Sequence, residues 1–203
     1  MSELKLSSMH IDALREISNI GTGNAVAALS KILNKKISMD VPKVKFLEFD
    51  EIASNIGGDD GILAAVLVNL NSQKVNGMMM FLIGYEQALA VANTMLSSMQ
   101  GPKTELGDIE KSALTEIGNI LNSSYLGALA GVIGETVGTS VPSFSIDMAG
   151  AILSVPAIAF GQVSDSVLFI ESLFKADNVD ISGYFILIPD VESFKYIFSK
   201  LGF

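Results

Sequence analysis

Residues 13–25 read ALREISNIGTGNA, and residues 113–125 read ALTEIGNILNSSY. The second stretch repeats the first at an offset of 100 positions. Glu16 recurs as Glu116 and Asn19 as Asn119, while Ala13, Leu14, Ile17, Ile20, Ala28 and Leu29 all have identical partners. The register persists on both sides: Asp12 meets Ser112, Val41 meets Val141 and Pro42 meets Pro142. A Glu–Asn coincidence arises easily by chance, but one that keeps step out to a distant proline does not. The chain is therefore an internal duplication. Each half reads Asp or Ser, three residues, Glu, two residues, Asn, twenty-two residues, Pro.

The remainder of each half supports the duplication at a slightly larger offset. VNGMMMFLI resembles ISGYFILIP with Gly77 aligned to Gly183, an offset of 106. Runs rich in branched and aromatic residues precede each glycine, GILAAVLVNL and SVLFIESLF, and read as strands. NSQKVNG and KADNVDISG read as hairpin connections, and YEQALAVANTMLSSM and DVESFKYIFSKLG have helical spacing. Each half is expected to run helix, helix, one or two strands, hairpin, helix, with a linker near Gln100 to Asp108. The predicted fold is α+β with pseudo-twofold symmetry. Two helix-strand halves, at about 1–100 and 108–203, share a mixed sheet layered with helices inside a single domain spanning 1–203.

Composition narrows the function classes. Of 203 residues, 49% are hydrophobic and only 17% charged, which provides for a well-buried core. The longest apolar run, Met148 to Phe160, is too short for a membrane span of about 20 residues, and the N-terminus lacks the apolar core of a signal peptide. The expected location is the cytoplasm. There is no cysteine, and thus no disulfide, thiolate nucleophile or thiolate metal site. A net charge of −9, with Arg15 the only arginine, argues against a phosphate backbone as partner.

On a helix, Asp12, Glu16 and Asn19 share one face, as do Ser112, Glu116 and Asn119. The two polar stripes are expected to point outward, with Leu14, Ile17, Ile20 and Gly21 on another side. Solvation alone accounts for polarity but not for the same two residue types twice, since Asn is a mediocre helix former. The stripe is either a solvated face or a surface that touches something, and if buried it is structural. GTGNA does not make a nucleotide loop: the preceding residues look helical, and the second copy has no glycine there. Gly21 and Gly23 mark close helix packing or a local helix break. His10, the only histidine, reads as a cap or a solvated side chain and lacks the companions a metal site or a Ser-His-Asp triad needs. Met78 to Met80 read as strand or core filling.

This pattern resembles the CheC family of bacterial chemotaxis proteins, which comprises CheC-, CheX- and FliY-like branches and dephosphorylates the response regulator CheY. EISNIGTGNA and EIGNI match the family's wording, and the resemblance covers essentially the whole chain. Two intact motifs, together with the expectation that no further domain follows Phe203, look most like the branch that names the family. The resemblance implies a protein aspartyl-phosphate phosphatase with no cofactor of its own, because the phosphorylated regulator brings Mg²⁺ and a lysine. Asn19 and Asn119 would orient the attacking water at two sites, and Glu16 and Glu116 would engage the regulator's lysine. Asp12 and Ser112 would flank the partner, and Pro42 and Pro142 would shape the scaffold. The alternative is a non-catalytic regulatory module that binds the receptor deamidase CheD. FSIDMAGAILSVPAIAF, with Asp147 its one charge, is either a core element capped by that aspartate or an exposed apolar surface for such a partner. The internal repeat already forms a pseudo-dimer, so a monomer is expected, with no nucleic acid or membrane partner.

Overall fold

Two 26-residue helices, α1 (Ser8–Leu33) and α4 (Asp108–Ile133), open the two repeats of the computed structural model. The structure describes residues 8–33, 35–40, 42–160, 166–176 and 179–202. In α1 the residues Leu14, Ile17, Ser18, Gly21, Ala25 and Leu29 form a continuous buried face. The helix runs unbroken through Gly21 and Gly23. An α-carbon bearing a side chain at position 21 would place its Cβ 2.8 Å from the Tyr125 ring, so Gly21 serves close packing. Gly23 faces open space. α4 begins with Asp108 and Glu110, whose charges suit a helix N-terminus. It stops at Gly134 in the left-handed region, φ 71°, with the Gly134 amide donating to the Ala130 carbonyl.

The first repeat continues through β1 (Ile37–Met39), β2 (Lys43–Glu48), α2 (Phe49–Asn55), β3 (Ile62–Asn71), β4 (Asn76–Gly84) and α3 (Tyr85–Leu96). The second continues through β5 (Ser143–Met148), α5 (Ala149–Phe160), β6 (Ser166–Ala176), β7 (Val179–Pro189) and α6 (Val191–Lys200). The counterpart of β1 is reduced to a single bridge between Leu70 and Thr139. The expected order of two helices before the first strand is corrected: the opening helical stretch is one long helix, and the short second helix follows the edge strand.

All the strands join one seven-stranded sheet in the order β1-β6-β7-β4-β3-β5, with β2 extending the β1 edge along β6. The α+β class and the shared, helix-layered sheet stand, but the sheet is antiparallel at every ladder rather than mixed. A twofold normal to a sheet reverses strand direction, so the two strands meeting at it, β4 and β7, must run antiparallel. The hairpins add only further antiparallel pairs. Each repeat also lends its edge strand to the other: β2 lies on β6, and β5 lies on β3.

The ladders fix the equivalences. Lys43 lies opposite Glu171 and Ser143 opposite Leu67, so Leu67 and Glu171 correspond, 104 positions apart. The same offset relates Phe81 to Phe185, and these two are direct partners in the β4–β7 ladder. The pseudo-twofold therefore passes between them. Gly77 corresponds to Ile181, not to Gly183 as the sequence alignment suggests. That alignment slipped by two residues, a slip that leaves every side chain on its own face and so escapes the apolar pattern.

Side chains alternate across the sheet. Ala64, Val68, Met79, Phe81, Leu168 and Phe185 face the layer of α1, α3, α4 and α6. Leu63, Ala65, Met78, Met80, Phe169 and Ile186 face α2 and α5. Met78 to Met80 are buried, as expected of core strand. The linker before α4 is pinned: Asn93 exchanges two hydrogen bonds with the Lys103 backbone, at 2.9 and 2.8 Å, and the Leu106 amide donates to the Tyr85 hydroxyl. Among the described residues no helix is long and apolar enough to cross a membrane.

Candidate functional site

Burial decides which face of α1 and α4 meets solvent. Asp12, Glu16 and Asn19 are exposed; so are Ser112 and Glu116, with Asn119 half-buried. Neither stripe is enclosed by the other half. Leu29 and Leu33 lie beside Leu114, Ile117 and Leu121, while Leu14, Ile17 and Ser18 lie beside Tyr125, Leu126 and Leu129. The helices thus run antiparallel, and their N-terminal stripes sit at opposite ends of the helical layer. The structure brings Glu and Asn together within each repeat and keeps the two pairs apart.

The surroundings differ. In the first repeat Arg15 donates to Asp12 at 2.7 Å, an exposed ion pair one turn before Asn19. In the second, the Ser112 hydroxyl donates to the Asp108 carbonyl at 2.8 Å. Beneath the first stripe the Ser18 hydroxyl bonds to the Leu14 carbonyl at 2.8 Å. Its counterpart is Gly118, where a Cβ would stand 2.4 Å from Val66. This is why EISNI becomes EIGNI: α4 lies closer to the sheet than a serine permits. The neighbouring Asn122 donates to the Val66 carbonyl at 3.2 Å.

Glu110 anchors the start of α4. Its carboxylate accepts from the Gln100 side chain and from the Gly107 amide, the latter at 3.0 Å. A hydrogen bond from its own amide, then those from Gln100 and Gly107, hold its pKa below the ordinary carboxylate value against the desolvation that raises it.

Pro42 is buried and Pro142 half-buried, each immediately before an edge strand, β2 or β5. Proline lacks the amide donor of an interior strand and suits such an entry. Neither stands on the helices that carry the stripes.

Ile20 departs from its expected place. It is 41% exposed, one turn beyond Glu16 on the stripe's flank. Its recurrence as Ile120 is the signal in the sequence that this position belongs with the repeated motif. His10 is not merely solvated: its ring meets the edge of Phe198, centroids 4.9 Å apart. Asp147 is exposed at the end of β5, and its carboxylate accepts from the Met148 amide at 2.8 Å. It does not cap α5 as a core element. That helix buries Ile152 and Leu153 but exposes Val155 at 50% and Ile158 at 82%. Ile62 and Met148, opposite each other on β3 and β5, are each 47% exposed as well. Among the described residues no three His, Cys, Asp or Glu side chains converge as a metal donor set.

A family model, that of the CheC-like family, matches residues 9–46 and again 109–146, the same segment taken twice at the 100-residue offset. The CheY-P phosphatase CheC of Bacillus subtilis is 34% identical over 196 residues, covering 95% of this chain and 93% of that protein. The flagellar motor switch phosphatase FliY of the same bacterium is 28% identical over 138 residues, covering 68% of this chain and 35% of that one. The crystal structure of Thermotoga maritima FliY superimposes with a TM-score of 0.74 over 97% of this chain and all of the other, at 23% identity.

Proposed function

The chain belongs to the CheC-like family, and from that premise we propose that it hydrolyses the aspartyl phosphate of a CheY-type response regulator in chemotaxis. The observation that carries this reading is the pair of outward-facing Glu–Asn stripes, Glu16/Asn19 and Glu116/Asn119, at identical spacing on two equivalent helices. An asparagine amide both donates and accepts, so it can hold a water in line with the bond to be broken. The water oxygen bonds to phosphorus as the aspartyl oxygen leaves. Both water protons depart with inorganic phosphate, and the regulator regains its carboxylate. Glu16 and Glu116, one turn away, pair with a lysine of the regulator and set the register. Asp12 and Ser112 flank that contact. Mg²⁺ belongs to the phosphorylated partner and supplies charge neutralisation there. The protein works as a cytoplasmic monomer, one domain built of the repeats 1–100 and 108–203.

The test is phosphate release from a phosphorylated, Mg²⁺-loaded CheY-type regulator. Wild type should accelerate it and Asn19→Ala/Asn119→Ala should not. Full activity in the double variant overturns the site assignment, and no acceleration by wild type overturns the reaction.

A second, compatible reading concerns α5. Ile62, Met148 and Asp147 are exposed on β3 and β5, and the exposed Val155 and Ile158 give α5 an apolar surface that suits a protein partner. The deamidase CheD is the partner proposed for it. Asp147→Arg and Ile158→Glu should each abolish CheD binding while leaving phosphate release unchanged; retained binding in both removes this reading.

A further inference from the structure

We propose that Tyr125, a residue of the second repeat, is the positioning residue for the site on the first, and that the two sites are held in place by different means. The inference rests on the assignment of Asn19 and Asn119 above. Under the first stripe runs a buried chain of hydrogen bonds. The Ser18 hydroxyl donates to the Leu14 carbonyl, and the Thr22 hydroxyl donates to the Ser18 carbonyl at 2.7 Å. Thr22 then shares a hydrogen bond with the Tyr125 hydroxyl at 3.0 Å, and Tyr125 shares another with Ser172 on β6, also at 3.0 Å. Ser18 is 1% exposed, Thr22 8%, Tyr125 4% and Ser172 0%.

The ring and the hydroxyl of Tyr125 fix different degrees of freedom. The ring lies directly against the α1 backbone at Gly21 and packs on Phe185, centroids 4.2 Å apart. It thereby sets how far α1 stands from α4. The hydroxyl holds Thr22, one turn past Asn19, and so fixes the rotation of α1 about its own axis. Burial pushes the phenol pKa up, which keeps the proton on the hydroxyl. A small rotation of a helix swings the tip of an outward side chain by about an ångström, enough to matter for an in-line water.

The second repeat has no such chain. The positions equivalent to Ser18, Thr22, Tyr125 and Ser172 are Gly118, Asn122, Ala25 and Val68. There α4 rests on Val66 through Gly118, and Asn122 reaches the Val66 carbonyl. Losing the Tyr125 hydroxyl therefore releases α1 while leaving the hold on α4 near Asn119 in place.

The experiment introduces Tyr125→Phe into two phosphatase backgrounds: Asn119→Ala, which leaves only the first site, and Asn19→Ala, which leaves only the second. Against the phosphorylated, Mg²⁺-loaded regulator, kcat of the first-site protein should fall about five- to tenfold with KM unchanged. The second-site protein should change by less than about twofold. Thr22→Val, which removes the partner of the Tyr125 hydroxyl on α1, should reproduce the same selectivity. Equal losses in both backgrounds mean general loosening and overturn the proposal, as does no loss in either, or an Asn119→Ala protein with no activity at all. Failure of the underlying assignment shows itself separately, as full activity in Asn19→Ala/Asn119→Ala before Tyr125 is touched.

Discussion

Phe81 and Phe185 are the same residue of the two repeats, and they meet each other at the centre of the sheet with ring centroids 5.1 Å apart. Both are buried, and Tyr125 and Phe174 pack around them. One aromatic cluster therefore serves both halves.

Cutting into that cluster should weaken both repeats at once. Phe185→Ala removes a ring that is 0% exposed and should cost about 3–5 kcal/mol. The urea transition should remain single, because no separate core exists for either half to retreat to. Two transitions would show that the halves fold apart.

The motif glutamates should act in binding rather than in the chemical step. Glu16→Lys/Glu116→Lys reverses two exposed charges and should raise KM for the phosphorylated regulator about tenfold while kcat stays near wild type. Added salt should narrow the gap between variant and wild type. A loss confined to kcat would place the glutamates in the water-positioning step instead.

Glycine replacements should separate by position. Gly118→Ala forces a methyl group against Val66 and should destabilise by about 1–3 kcal/mol. Gly23→Ala meets nothing within 4 Å and should stabilise α1 by up to about 1 kcal/mol. Thermal melts of the two variants against wild type decide this, and a stable Gly118→Ala protein would mean that α4 can ride up off the sheet.

Glu110 gives the stability a pH dependence of known sign. Its folded-state pKa lies below the unfolded value, so its contribution is complete above the ordinary carboxylate range and is lost as pH falls through the folded value. The urea midpoint of wild type should exceed that of Glu110→Gln at pH 7, and the two curves should converge below about pH 4. Parallel curves throughout would remove Glu110 as the source.

The duplication and the outward direction of Glu16, Asn19, Glu116 and Asn119 were legible because helical spacing and residue identity repeat together. The strand segments were legible because Val, Ile, Phe and Met runs leave few other choices. Strand exchange was not: the edge strands β2 and β5 show a similar local pattern whichever hairpin they join. Nor was the register at Phe81 and Phe185, because a two-residue slip conserves faces. The open side of α5 stayed hidden because AGAILSVPAIAF is apolar all round, so periodicity cannot say which residues are covered. The Thr22–Tyr125–Ser172 chain joins residues far apart in sequence, and its one trace is a size swap, Gly21 and Ala25 against Leu121 and Tyr125.

The exchanged edge strands give the protein a history within each round of synthesis. β3 and β4 leave the ribosome long before their outer neighbours exist: β3 waits for Ser143–Met148, and β4 for Val179–Pro189. Until then the nascent chain carries two unpaired strand edges and a free strand, β2, whose place is on β6. Such edges invite pairing with another chain, and closing them across 76 to 112 residues is slow. The period of greatest hazard therefore ends only with the last hairpin, and truncation anywhere before it leaves a molecule built to seek a second copy of itself.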